Sequence, residues 1–256
     1  MPGGHEMIHY HGCPLSGDSF TQLAYTGRHA MVSFAARNHM ELIAEVSQTF
    51  CLDNGAYSAW SSGTPFDITG FADFVGTWHR HPAFDFYCLP DVIDGDEKEN
   101  ATMRQKWTEA VDADVLQKGA PVWHFSEPLS VLQEFVDKYQ RVCLASGAHS
   151  SEGSRQWWGR IAEAMDILCD EEGRPIVKIH GLKMLDPTIF SHLPLASADS
   201  TNVARHCGSD ERWKGAYVPP DKRTRAIVMM QRIEAHASAA RWDKESFGQR
   251  NFSLFG

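Results

Sequence analysis

The chain has no apolar run approaching the ~18 residues that a membrane-spanning helix needs. Its first residues, MPGGHEMIHYHG, show no basic stretch followed by an apolar one, so no secretory signal is expected. The six cysteines, at 13, 51, 88, 143, 169 and 207, form no CxxC or CxC pair. That spacing argues against a structural zinc site built from cysteines. Cys51, Cys88 and Cys143 fall inside expected strands, which points to reduced, mostly buried thiols in a cytoplasmic protein. No linker rich in Pro, Gly or Ser divides the sequence, and no low-complexity segment or short repeat stands out. There is also no excess of positive charge. The net charge of -9 excludes a nonspecific polycation surface. The charge is uneven, however. Residues after 200 are basic, through Arg205, Arg212, Lys214, Lys222, Arg223 and Arg225 among others, whereas the first 200 are strongly acidic. Such a region could hold a phosphate backbone, or it could be a solvated helix face.

What is present is a regular alternation. Short β-branched or aromatic runs at Met7–His11, His29–Phe34, Thr49–Asp53, Phe84–Leu89, Pro121–Phe125 and Arg141–Ala145 read as six strands. Helical spacing appears over 38–48, 68–78, 97–115, 129–139 and 154–171, where Gly173 reads as the stop, and over 221–241. The stretch Ile176 to Arg205 then reads as strand, tight turn, short helix and strand. Ile176–Ile179 is the seventh strand. Asp186 caps the helix with Pro187 at its first position. Leu195–Ala198 is the eighth strand and delivers Asp199 at its end. Eight strands separated by helices in 256 residues imply a single-domain (β/α)8 TIM barrel over residues 1–256, with 206–256 a basic helical extension. The alternative, an open doubly wound sheet, usually carries a glycine-rich phosphate loop after its first strand. Gly12-Cys13-Pro14-Leu15-Ser16-Gly17 is not GxGxxG.

In such barrels the chemistry sits at the C-terminal ends of the strands. Those positions hold His9 or His11, Asp53, Asp91, His124 with Ser126, Gly147, His180 and Asp199. Any one aspartate there could cap a turn. Three at three strand ends exceed what packing requires, since a buried carboxylate is costly unless paired. Two chemistries fit. In glycosyl transfer one Asp attacks an anomeric carbon while another handles protons, with Asp199 and Asp53 as the pair and Asp91 bonding the base. In metal-dependent hydrolysis His9 and His11, two apart on one strand, would hold a divalent cation with His124, His149 or His180 and Asp199. With 13 histidines an HxH pair arises readily by chance. A noncatalytic nucleic-acid-binding subunit is a third option.

Several short motifs follow one order. Leu52-Asp53-Asn54-Gly55-Ala56-Tyr57-Ser58 resembles the DSGGYQ or DSGGFQ segment of the tRNA-guanine transglycosylases. Leu89-Pro90-Asp91 falls where that family ends its fourth strand in Asp. Val122-Trp123-His124-Phe125-Ser126 stands in place of VQGG. Leu144-Ala145-Ser146-Gly147-Ala148 resembles GGLA, His180-Gly181-Leu182 resembles MGVG, and Ala198-Asp199-Ser200 to Arg205 resembles FDCVLPTR. The resemblance covers roughly residues 7 to 205. It implies exchange of guanine in a nucleic acid for a 7-deazaguanine. Asp199 would bond covalently to the sugar and Asp53 would be the general acid/base. Tyr57 would stack on the base and Asp91 would read its polar edge. His124 or Ser126, with the backbone at Gly147-Ala148 and the His180 turn, would complete base recognition. The target nucleotide has to leave its stack to reach such a pocket. The family's CxCxxC zinc site is missing, since Cys207 stands alone, and the VQGG glutamine is not kept. These departures point to the compact 7-deazapurine DNA transglycosylases of phages and bacteria, with DNA favoured over tRNA. Arg205, Arg212, Lys214, Lys222, Arg223 and Arg225 would then contact phosphates. No cofactor and no membrane are expected. The partners are DNA and a free 7-deazaguanine (preQ0-type) base, and the oligomeric state, monomer or homodimer, stays open.

Overall fold

The structure is a computed structural model that describes residues 7–13, 17–146, 152–209 and 217–244. In chain order the elements are β1 (Ile8–Gly12), α1 (Asp18–Tyr25), β2 (His29–Ser33), α2 (Met40–Val46), β3 (Thr49–Asp53), α3 (Ala56–Ser62) and α4 (Ile68–Trp78). There follow β4 (Phe84–Cys88), α5 (Glu97–Ala110), α6 (Ala113–Leu116), β5 (Gly119–Ala120), β6 (Val122–His124), α7 (Leu129–Lys138), β7 (Arg141–Ala145) and α8 (Arg155–Leu168). The chain continues with β8 (Lys178–Gly181), α9 (Pro187–Phe190), β9 (Ser197–Ser200), α10 (Asn202–His206) and α11 (Lys222–Glu234).

All strand pairs are parallel, in the order β5-β4-β3-β2-β1-β9-β8-β7-β6. β5 and β6 are two pieces of one strand interrupted at Pro121, whose missing N–H cannot join a ladder. On either side of that break the pairing carries on. Leu89 N–H donates to Ala120 O at 2.9 Å, and Cys143 N–H donates to Pro121 O at 2.8 Å. Counted so, the nine strands fill eight places and close the expected (β/α)8 barrel.

Strand alternation sorts the residues into two cores. Tyr10, Met31, Cys51, Phe86, Cys88, Val122 and Cys143 fill the barrel interior. Their neighbours, such as Val32, Phe50, Leu52, Val142 and Leu144, point outward and pack under the helices. The lower interior holds an ion pair. Arg141 donates to Asp85 through Nη1 at 2.7 Å and Nη2 at 3.2 Å, Tyr10 Oη donates to Asp85 Oδ2 at 2.7 Å, and the guanidinium stands 4.0 Å from the Phe86 ring centre. All six cysteines are free thiols.

The structure moves several expected boundaries. The seventh strand is Lys178–Gly181 and the eighth Ser197–Ser200, each two residues later than its sequence suggests. Asp199 therefore lies inside its strand rather than after it. The single helix expected over 97–115 breaks at Val111 into α5 and α6. Gly173 lies in a turn beyond the end of α8, closed by an antiparallel bridge from Cys169 to Pro175. Three helices, α1, α3 and α10, had no counterpart in the sequence pattern. α1 lacks a side-chain cap, and α3 begins from the left-handed Gly55. In the C-terminal segment, α11 packs against β1, α1 and α10, so it joins the helical layer around the barrel. No helix among the described residues is long and apolar enough to cross a membrane.

Candidate active site

A cavity of about 480 Å³ lies at the C-terminal ends of the strands. Asp53 reaches it from the end of β3, Asp199 from β9, Asp91 from the loop after β4, and His124 and Ser126 from the end of β6. Tyr57 stands at its mouth on α3, and Arg205 lines it from α10. The structure thus brings both expected catalytic carboxylates and four of the expected base-contacting side chains into one space. Gly147 and Ala148, like Arg212, Lys214 and His149, lie outside the described residues.

Asp53 is the carboxylate most altered by this setting. Its pKa is pushed up to about 6, chiefly by the loss of water around it and further by the charges of Asp199 and Asp91. Ser33 and the Gly55 amide offset part of the effect, and Gly55 N–H donates to Asp53 Oδ2 at 3.2 Å. An acid poised near neutrality can give and take a proton in one turnover.

Asp199 is only 7% exposed and is held from two sides. Its Oδ1 accepts the Lys183 amide N–H at 3.0 Å and lies 3.4 Å from His180 Nε2. The other ring nitrogen of His180, Nδ1, is 2.8 Å from Ser197 Oγ. His180 is fully buried between β8 and the barrel interior, with its ring 5.0 Å from Phe86 and 6.1 Å from Tyr10. It does not line the cavity, so it supports Asp199 from below instead of contacting a base. Burial lowers its pKa despite the nearby Asp199, which favours the neutral ring.

Asp91 and His124 form a second buried pair. His124 Nε2 donates to Asp91 Oδ2 at 2.8 Å, and Asn54 Nδ2 donates to Asp91 Oδ1 at 2.6 Å and to Leu89 O at 2.7 Å. Burial alone would lower the His124 pKa, but its bond to Asp91 and the charges of Asp91 and Glu127 raise it overall. Glu127 Oε2 also accepts the His124 backbone N–H at 2.9 Å. Asn54 is the pivot here, since its Oδ1 accepts the Ala56 N–H at 2.8 Å and so starts α3.

His9 and His11 do not belong to the site. They alternate with the inward Tyr10 and so face the helical layer. His9 Nε2 is 2.9 Å from His236 O, and His11 Nε2 is 3.0 Å from Glu234 Oε1, which Arg28 also binds at 2.9 Å. These two histidines cannot hold a metal with His124 or Asp199 across the barrel wall. No cluster of three metal-ligating side chains occurs among the described residues.

The basic residues of α11 are placed differently from Arg205. Arg223 donates to Ser19 Oγ at 3.1 Å and Arg225 to Pro219 O at 2.7 Å, beside a separate surface hollow that Lys222 and Arg223 share with Phe20 and Leu23.

Sequence reasoning missed Asn54, Asp94, Glu152 and Lys183, which line the cavity, and Glu127, which holds the His124 backbone. Asn54 follows directly on the third strand and Glu127 stands just before the helical spacing of 129–139, positions that mark no ligand by themselves. Lys183 read as part of a turn, although its positive φ of 62° is a conformation that non-glycine residues adopt rarely.

No protein-family model matches this chain, and no curated protein matches it. Among solved structures, a mutant tryptophan synthase alpha-subunit from the hyperthermophile Pyrococcus furiosus is similar at 12% identity. Its TM-score is 0.48, over 91% of this chain and 97% of that one. The barrel assignment rests on the strand order itself, and the chemistry on the cavity.

Proposed function

We propose that this chain exchanges guanine for a 7-deazaguanine in DNA through a covalent bond between Asp199 and the deoxyribose. The observation that carries the reading is that Asp53, with its pKa near 6, and the amide-held Asp199 share one cavity. A carboxylate pair of this kind suits displacement at an anomeric carbon. A carboxylate oxygen of Asp199 attacks C1′ of the flipped nucleotide. The C1′–N9 bond breaks, its electron pair passes to the purine, and Asp53 protonates the departing guanine. The incoming 7-deazaguanine then loses its N9 proton to Asp53 and attacks C1′, which releases Asp199. Proton and charge return to their starting state, and no cofactor enters the balance.

Base recognition falls to Asp91 and His124. Each Asp91 oxygen accepts one bond within the protein and keeps a lone pair for the N–H groups of the guanine edge. The fixed donors around Asp91 hold it ready before the base arrives. Tyr57 offers a stacking surface at the mouth. Cys207 stands alone after β9, without the CxCxxC spacing of the tRNA enzymes, and this favours DNA as the acceptor over tRNA.

The test is incorporation of radiolabelled guanine into duplex DNA, single-stranded DNA and tRNA, with Asp199→Ala alongside. Label that enters DNA and is lost in the variant supports the proposal. Label in tRNA alone moves the acceptor to RNA, and label in no acceptor overturns base exchange.

A further inference from the structure

We infer that Lys183 binds the phosphate of the nucleotide whose base enters the cavity, and that in the free protein it bridges the mouth by resting on Tyr57. The inference builds on the base-exchange reading and adds a contact to it.

The first observation is topological. In a ring of eight places β3 and β8 are four steps apart, with β2, β1 and β9 between them on one side. They face each other across the barrel. Tyr57 stands just after β3 and Lys183 just after β8, yet Lys183 Nζ lies 4.2 Å from the centre of the Tyr57 ring. Both residues line the cavity that holds Asp53 and Asp199. The contact therefore runs over the space a nucleotide would have to enter.

The second observation is the backbone. Lys183 is held at φ 62°, where glycine or asparagine would sit with less strain. Its own N–H donates to Asp199 Oδ1 at 3.0 Å. Glycine would serve that amide equally well, so the strained turn alone does not account for a lysine. Strain kept at such a place is a pointer to function.

The third is electrostatic. Asp53, Asp91, Asp94, Asp199 and Glu152 surround the cavity and would repel a phosphodiester. Lys183 and Arg205 are the only lysine and arginine among the described residues that line it. Arg205 comes from α10, after β9. Lys183 comes from the turn that directly supports the attacking carboxylate, so its ammonium is tethered near the sugar under attack.

The fourth is the strength of the resting contact. Tyr57 is 43% exposed, and its neighbour Trp60, 5.5 Å away at a tilt of 42°, is 42% exposed. A cation–π contact in water is weak, and a charge-assisted bond to a phosphate is stronger. An arriving strand would take the ammonium from the ring. That exchange uncovers the face of Tyr57 on which a base can stack.

The experiment measures binding apart from catalysis. Asp199→Asn keeps an Oδ1 acceptor for the Lys183 amide and removes the attacking carboxylate, so it serves as the parent. Its affinity for a fluorescein-labelled single-stranded DNA with one central guanine is measured across a salt series. Lys183→Asn removes the charge but tolerates the left-handed backbone. It should weaken binding roughly tenfold at physiological salt, as loss of a hydrogen bond from a charged group does. It should also reduce the slope of log affinity against log salt by about 0.7, the value for one phosphate contact on a single strand. Lys183→Arg should restore both. An unchanged slope overturns the inference even where affinity falls, because a shape defect would lower affinity without releasing fewer counterions. If the parent binds no oligonucleotide, the nucleic-acid reading falls with it. Exchange activity together with an unchanged slope removes Lys183 alone.

Discussion

His124 Nε2 and Asp91 Oδ2 lie 2.8 Å apart, and the bond joins the end of β6 to the loop that leaves β4. Both side chains are buried, and Asn54 holds the other oxygen of Asp91. The pair therefore ties two strand ends together at the place where a base edge would be read.

The pair makes stability depend on pH. The folded pKa of His124 is raised, because the bond to Asp91 and the negative charges nearby outweigh burial. A raised pKa means that the native state binds the proton more tightly than the unfolded chain. Its contribution is complete below about 6.5, the value for an unfolded histidine, and is lost as pH rises through the folded value. His124→Gln should therefore lower the melting temperature most in mildly acidic buffer, and the deficit should shrink as the buffer turns alkaline. A deficit of the same size at every pH would mean that the charge on His124 does not contribute.

Asp53 carries the opposite stability sign at neutral pH. With a folded pKa of about 6 against 3.8 for the free group, the native state holds the extra proton between those values. Stability then falls as pH rises from about 4 to about 6, and the ionised group costs its full penalty above that. Asp53→Asn should gain about 2–3 kcal/mol at pH 7, since a tenfold change in proton affinity corresponds to about 1.4 kcal/mol. The same variant should lose exchange activity by at least a hundredfold if Asp53 is the acid/base. Denaturant melts and initial rates on one preparation check both. A variant that is more active, or less stable, would remove Asp53 from that role.

The barrel was legible from the sequence because parallel strands buried on both faces read as short apolar runs with turns at their ends. β1, β2, β3, β4 and β7 show this plainly. The two strands around Asp199 were misplaced by two residues because Ile176 and Val177 look like strand but precede the first ladder pair, Arg141 with Lys178. Asp53, Asp91, His124 and Asp199 were found by their place at strand ends. The true surroundings of His9, His11 and His180 were hidden because sequence alone does not tell inward from outward when both kinds of neighbour are polar. His180 points inward but too deep, and His9 and His11 point outward to α11 and the segment after it. Lys183 was missed because its significance lies in a backbone angle and in a contact across the barrel.

The Arg141–Asp85 pair should behave as a buried structural pair. Burial alone would raise the Asp85 pKa, but Arg141 and Tyr10 overcome it and hold the carboxyl below its usual value. Its contribution is present above about pH 4 and lost as pH falls through the depressed value. Asp85→Ala leaves Arg141 without its partner among Phe86 and Tyr10, and should cost about 3–5 kcal/mol. Urea denaturation at pH 7 reads this directly. A loss below about 1 kcal/mol, the range of exposed pairs, would show that water reaches the pair.

The base of the barrel offers a test that separates fold from chemistry. Gly173 has φ 77°, and a Cβ built there would come within 2.2 Å of Trp242 O. The same two residues are joined by a bond from Trp242 N–H to Gly173 O at 2.7 Å, and the Trp242 side chain is buried. This contact fixes the segment after α11 against the turn between α8 and β8, at the end of the barrel opposite the cavity. Gly173→Ala meets two costs. A left-handed alanine loses about 1–2 kcal/mol, and the backbone of Trp242 must move, which disturbs the packing of a large side chain. A total loss of about 2–4 kcal/mol is expected. Under the base-exchange proposal, the variant should nevertheless react at the wild-type rate per folded molecule, because residues at this end act on stability and not on the reaction. A variant as stable as the wild type would show that Trp242 is not held against this turn. A stable variant with a reduced rate would show that the C-terminal segment acts on the cavity through α11, whose Glu234 binds His11 of β1 at 3.0 Å.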